Sequence, residues 1–169
     1  MVIKRLKTTG GFTLTELMLV VAILGIVFSM GPQLLTQVTR YYYLHNAKIE
    51  IQRDARSALD TMNRYIRQAT ATGIRIDEVA GQPPYSQISF TTEAGVDMKF
   101  YQQGTNLYQV SRAVQSTVLL SSNLRYIAFT YPRSDDPTII SVAMTMEKAT
   151  YQGGTKALEL SIEKVRVMN

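Results

Sequence analysis

Gly10, Gly11 and Phe12, followed by a lone carboxylate at Glu16 near the head of a long apolar run, are the residues here whose types and spacing could do chemistry. A carboxylate inside an apolar layer costs at least ~2.5–3.5 kcal/mol on insertion scales, so it either stays wet at the headgroup level or has a partner. Cutting the peptide bond between Gly11 and Phe12 would create a positive partner, a new amino terminus. Within one helix that amine and Glu16 lie about one turn apart. Between neighbouring subunits the same two groups could pair across an interface and set the axial register of an assembly.

The element that must carry these residues is the run itself. From Leu17 to Thr39 no residue is charged. Twenty-odd residues at ~1.5 Å each reach ~30 Å, the thickness of a bilayer's hydrocarbon core. Lys4, Arg5 and Lys7 precede the run and would hold that end in the cytoplasm, with the remainder of the chain outside it. A soluble core helix seldom stays uncharged for so long. A secretory signal peptide has ~7–15 apolar residues followed by a small-x-small cleavage site. Here the run is longer and the glycine pair precedes it, so proteolysis at the glycines would leave the apolar segment on the product.

Gly11, Phe12, Thr13, Leu14 and Glu16, followed by Leu17-Met18 and the apolar run with Gly25 and Pro32, resemble the N-terminus of type IV prepilins and pseudopilins. The resemblance covers roughly residues 4–33. It implies cleavage after Gly11 by the prepilin peptidase and N-methylation of Phe12. It also implies storage of the helix in the inner membrane until the subunit enters a filament, with Glu16 recognising a neighbour's amino terminus. Thr15 stands where an aliphatic residue is usual, and its hydroxyl can bond back to its own helix. Pro32 lies one residue earlier than in many major pilins.

The 169 residues suffice for one membrane helix and one modest domain. The formal charge of +5 belongs largely to the leader; without its three cations the balance is 15 basic against 13 acidic residues, which does not argue for nucleic acid. There are no cysteines, so the domain is held by burial and sheet hydrogen bonds, and a cysteine-based metal site is excluded. His45 is the single histidine and reads as a surface or boundary residue of a helix.

Beyond the run, Arg40 and Tyr41-Tyr42-Tyr43 fit an interfacial belt. Leu44, Ala47, Ile51, Ala55, Leu59, Met62, Ile66 and Ala69 then recur at helical spacing, with Asp60 and Arg64 placed for an i,i+4 pair on the polar side. The expected helix runs from about Phe12 to about Thr72, ~90 Å at ~1.5 Å per residue, stopped by Gly73. Its first half is apolar all round and its second half is amphipathic. The rest reads as short strands: 74–79, 87–92, 96–102, 107–110, 117–120, 124–131, 139–146 and 158–167. Glu93-Ala94-Gly95 and Gly104-Thr105-Asn106 are spaced as hairpin loops. Phe90, Met98, Phe100, Leu107, Tyr126, Ala128, Thr130, Ile140, Val142, Met144, Leu158, Leu160, Ile162 and Val165 are the expected inner face, covered by the helix stripe.

The expected fold class is therefore α+β, a long N-terminal helix packed on an antiparallel β-sheet domain. The expected segments are a leader (1–11), a transmembrane helix (12–39), its amphipathic continuation (40–72) and a sheet domain (73–169). The Arg53-Asp54-Ala55-Arg56 helix, the short strands and the segment from Leu124 to Tyr131 look most like minor pseudopilins of J type and their minor-pilin relatives.

Other constellations are weaker. Ser134-Asp135-Asp136-Pro137 reads as an exposed turn with too few oxygens for a calcium site. Arg53, Arg56, Arg64 and Arg67 share a helix face that could touch DNA phosphates or another subunit, although Glu50 and Asp60 nearby favour a solvated or subunit-paired face. Gly153-Gly154-Thr155-Lys156 lacks the spacing of a phosphate-binding loop and reads as a turn. No nucleophile–base–acid grouping points to an enzyme, and no cofactor or metal is expected.

With the resemblance, the expected function is structural: a minor pilin or pseudopilin that helps initiate or cap a filament built from the inner membrane, in type II secretion or a type IV pilus. The expected partners are other pilins or pseudopilins, the prepilin peptidase and methylase, and the lipid bilayer. The alternative is a DNA- or cargo-binding tip subunit of an uptake pilus. The expected location is the bacterial inner membrane, single-pass, with the N-terminus cytoplasmic and the C-terminal domain periplasmic, then the filament.

Overall fold

The computed structural model describes residues 11–150 and 156–167. Lys4, Arg5, Lys7 and the glycines at 153 and 154 lie outside the described residues. The chain divides into two units, Met1–Tyr41 and Tyr42–Asn169.

The first unit is the leading part of α1, a helix assigned over Leu14–Ile66. Every residue from Gly11 to Tyr43 is exposed except the half-buried Gly31. Three of its hydroxyls are turned back on the backbone. Ser29 donates to the Ile26 carbonyl at 2.8 Å, Thr36 to Pro32 at 2.9 Å and Thr39 to Leu35 at 2.8 Å. Hydroxyls satisfied within the helix leave an apolar surface suited to lipid or to other helices.

The second unit is an α+β domain. The later part of α1 buries Ala47, Ile51, Ala55, Ala58, Leu59, Met62 and Ile66, the stripe expected from three- and four-residue spacing. A five-stranded antiparallel sheet runs in chain order: β1 (Arg75–Asp77), β2 (Gln87–Thr91), β3 (Asp97–Gln103), β4 (Asn106–Ser111) and β5 (Ser116–Ser121). A three-stranded antiparallel sheet holds β6 (Leu124–Thr130), β7 (Ile139–Ala149) and β8 (Lys156–Arg166). Gly95 and Gly104, at φ of 77° and 61°, take the left-handed positions in the two expected hairpin loops.

Both sheets feed one core. Ile88, Phe90, Met98, Phe100 and Leu107 come from the larger sheet; Ile127, Phe129, Ile140, Val142 and Met144 from the smaller. Phe100 is fully buried, stacks on Phe90 with centroids 6.1 Å apart and meets Tyr65 of α1 at 6.4 Å. Burying each such side chain is worth about 1.5–3 kcal/mol, the main source of cohesion in a chain with no cysteine.

Three expectations need correction. First, the helix ends at Ile66 rather than near Thr72, so Gly73 closes a 3-10 turn (Ala71–Gly73) instead of α1. The sheet wins this segment. Gln68 and Ala69 bond only three residues back, Thr70 donates to the Thr91 carbonyl at 3.0 Å, and Ala69 bridges Thr92. Second, Tyr126 and Thr130 are exposed, because the register shifts between Leu124 and Tyr126 and turns Ile127 and Phe129 inward instead. Third, Leu158, Leu160 and Ile162 of β8 face solvent. The opposite face of β8 meets α1, where Gln52 donates to Glu159 at 3.2 Å and Asn63 donates to Glu163.

Candidate functional site

The candidate site is the head of α1. Thr13 precedes the first helical residue, Leu14, and Glu16 lies three residues beyond it. The backbone N–H of Glu16 donates to the Thr13 hydroxyl oxygen at 3.3 Å, and the backbone N–H of Thr13 donates to Glu16 Oε2 at 3.0 Å. This is a reciprocal capping box, which satisfies two of the helix's orphan N–H groups with side-chain oxygens. The Thr13 hydroxyl also donates to Glu16 Oε2 at 3.0 Å and meets the Thr15 hydroxyl at 3.0 Å. Leu17 N–H then bonds the Thr13 carbonyl at 3.2 Å, the first full turn.

The cap fixes where the carboxylate sits. Oε2 takes both Thr13 donors, while Oε1 carries no hydrogen bond among the described residues. An ionised carboxylate accepts about four bonds, so Oε1 has capacity for a cationic donor. Phe12 is 84% exposed, and a Cβ added at Gly11 would meet nothing within 4 Å. Both residues flanking the Gly11–Phe12 bond are therefore exposed. Phe12 and Glu16 lie together at one end of the helix. Thr13 was missed as a functional residue, although the Thr-x-x-Glu pattern that marks a capping box stands in the sequence.

Residues 6–31 match the prokaryotic N-terminal methylation motif. The chain carries a type IV pilin signal. The glycine pair, Phe12, Glu16 and the first part of the apolar run all fall within the matched segment. No curated protein and no solved structure matches the chain. Among the described residues, α1 is the one helix long and apolar enough to cross a membrane. A pilin signal on such a helix implies processing by the prepilin peptidase, assembly with other pilins and anchoring in a membrane.

The remaining sequence candidates fall elsewhere. Arg53, Arg56, Arg64 and Arg67 are all exposed in the second unit. Arg53 pairs with Asp54 at 3.6 Å. Arg64 does not pair with Asp60; its guanidinium lies over the Tyr65 ring, 5.4 Å from the centroid. His45 is exposed. Asp136 accepts the Thr138 N–H at 3.0 Å in a local turn, and the Thr138 hydroxyl and N–H hold its carboxyl below the usual range. The acidic turn is thus tied to its own loop.

Proposed function

We infer that this chain is a minor pilin or pseudopilin, a non-catalytic structural subunit that helps initiate or cap a filament assembled from the inner membrane. The supporting observation is Glu16 inside the pilin signal, capped by Thr13 with Oε1 open, at the head of a helix that is exposed and otherwise uncharged through Thr39. Peptidase cleavage after Gly11 and methylation of Phe12 leave a cationic N-terminus four residues from Glu16. A neighbour's Phe12 amine pairs with Oε1, and lateral packing of the apolar helices supplies the remaining attraction. Lys4, Arg5 and Lys7 keep the leader cytoplasmic, which places the sheet domain on the other side of the membrane.

Mass spectrometry of the membrane-extracted protein tests this reading. The expected product begins at N-methylated Phe12; any other terminus removes the basis for a filament role.

A DNA- or cargo-binding tip subunit is the second reading, favoured by the four exposed arginines on the α1 side of the domain. Reversing the charge of Arg64 and Arg67 separates the two. Lost DNA uptake with intact filaments supports the second reading, and unchanged uptake removes it.

A further inference from the structure

Strand β8 forms the outer edge of the three-stranded sheet, paired with β7 on one side and with no strand on the other among the described residues. It has 11 residues and contains neither proline nor glycine. Such an edge offers a row of unpaired N–H and C=O groups to another chain. Its solvent face reads Lys156, Leu158, Leu160, Ile162, Lys164 and Arg166, an apolar centre between basic ends. Leu158, Leu160 and Ile162 are 50%, 65% and 63% exposed. Their neighbours across the ladder on β7 are Glu147, Thr145 and Ala143. None of these covers them.

This exposure is built in. Ala157 and Val165 are buried on the helix side of β8, where Glu159 and Glu163 are held by Gln52 and Asn63. A one-residue slip would bury Leu158, Leu160 and Ile162 but would expose that whole set, so the register is fixed with three large apolar side chains outward.

We propose that β8 is a docking edge for an extended segment of a different polypeptide, apolar at alternate positions in its middle and acidic at its ends. Main-chain bonds to the free edge supply affinity, and the alternating side chains supply specificity. Apolar residues of the segment lie across from Leu158, Leu160 and Ile162, and its acids face Lys164 and Arg166 at one end and Lys156 at the other. Lys156 already bridges Glu147 and Arg166 lies within electrostatic reach of Asp136, so Lys164 carries most of the charge preference. A second copy of this chain fits poorly. Antiparallel pairing centred on Ser161 sets Lys156 against Arg166 and Glu159 against Glu163, like charges on both faces. A lipid surface would accept the leucines but leave the edge's N–H groups unpaired in an apolar medium. The proposal does not depend on how the N-terminal helix assembles.

The test uses the full chain in lipid nanodiscs and a fluorescent nine-residue peptide, valine or isoleucine alternating with threonine and glutamate at both ends. Fluorescence anisotropy is expected to show binding of this peptide in preference to its lysine-ended counterpart. Leu160→Glu, at an exposed position, is expected to weaken binding about tenfold or more while leaving the melting temperature unchanged. The pair Lys164→Glu and Arg166→Glu is expected to shift preference to the lysine-ended peptide. Equal binding of both peptides, indifference to Leu160→Glu, or no binding up to about 1 mM overturns the proposal. Because the chain has no cysteine, a Leu160→Cys variant adds a single thiol. Free labelling by a maleimide without peptide, and protection with it, is the expected outcome. A disulfide-linked dimer would assign the edge to a second copy, and protection by the nanodisc alone would assign it to lipid; either result overturns the proposal.

Discussion

Glu16 Oε2 lies 3.0 Å from the backbone nitrogen of Thr13, and the Thr13 hydroxyl oxygen accepts the Glu16 N–H at 3.3 Å. One carboxylate thus closes the helix start within its own chain, and the proposed pairing with a neighbour would use Oε1. The two duties separate by mutation. Thr13→Ala removes the cap alone, worth about 1 kcal/mol of local helix stability. Glu16→Ala removes both. Glu16→Ala is expected to leave cleavage largely intact and to abolish most incorporation into sheared filaments, while Thr13→Ala retains most of it. Immunoblots of the filament fraction decide; normal co-assembly of Glu16→Ala would refute the register role.

Gly11 makes no contact that a methyl group would disturb. Any sensitivity to its size therefore comes from the processing enzyme, not from this fold. Gly11→Ala is expected to slow processing much less than Gly11→Val. The ratio of precursor to mature protein measures it, and an unchanged ratio for the valine variant would remove the proposed cut site.

Gln102 joins the two sheets of the domain. It is 2% exposed, accepts the Ile127 N–H at 3.1 Å, and donates to the carbonyls of Gly104 at 2.8 Å and Arg125 at 3.1 Å. Gln102→Leu fills the space but leaves three backbone groups unpaired at about 1–3 kcal/mol each, partly relieved by relaxation. A loss of about 3 kcal/mol in unfolding free energy is expected by denaturant titration. A change under about 0.5 kcal/mol would mean that the sheets do not depend on this amide.

Glu147 is held below the usual carboxylate range, first by its hydrogen bond from Lys156, then by the charges of Lys156 and Arg125; Arg125 lies 3.1 Å away. A carboxyl depressed in the folded state contributes stability above its unfolded value and loses it as pH falls through the folded value. The melting temperature is therefore expected to fall on acidification below the ordinary glutamate range. Glu147→Gln should flatten part of that limb and change little at neutral pH relative to its own acid value. An identical acid limb in the two proteins would show that the cluster contributes nothing.

The sequence alone determined what depends on local order and periodicity. The glycine pair, Phe12, Glu16 and the apolar run of the pilin signal are contiguous, so spacing suffices to read them. The buried stripe from Ala47 to Ile66 follows from a period near 3.6, and all eight strands follow from alternation bounded by turn residues. The Thr13 cap is equally legible in Thr-x-x-Glu, a pattern of local spacing that the charge of the carboxylate does not by itself reveal.

Only the tertiary structure decided which face of a strand turns inward and where the strands divide. Alternation names two faces without choosing between them, and a single shift between Leu124 and Tyr126 exchanges them within β6. In β8 the inner side goes to Ala157 and Val165, with Glu159 and Glu163 between them bonded by Gln52 and Asn63 of α1. The helix end at Ile66 was settled by Thr91 and Thr92, more than twenty residues downstream, whose backbone takes the chain into the sheet. Such choices rest on contacts between residues distant in sequence, and no local pattern encodes them.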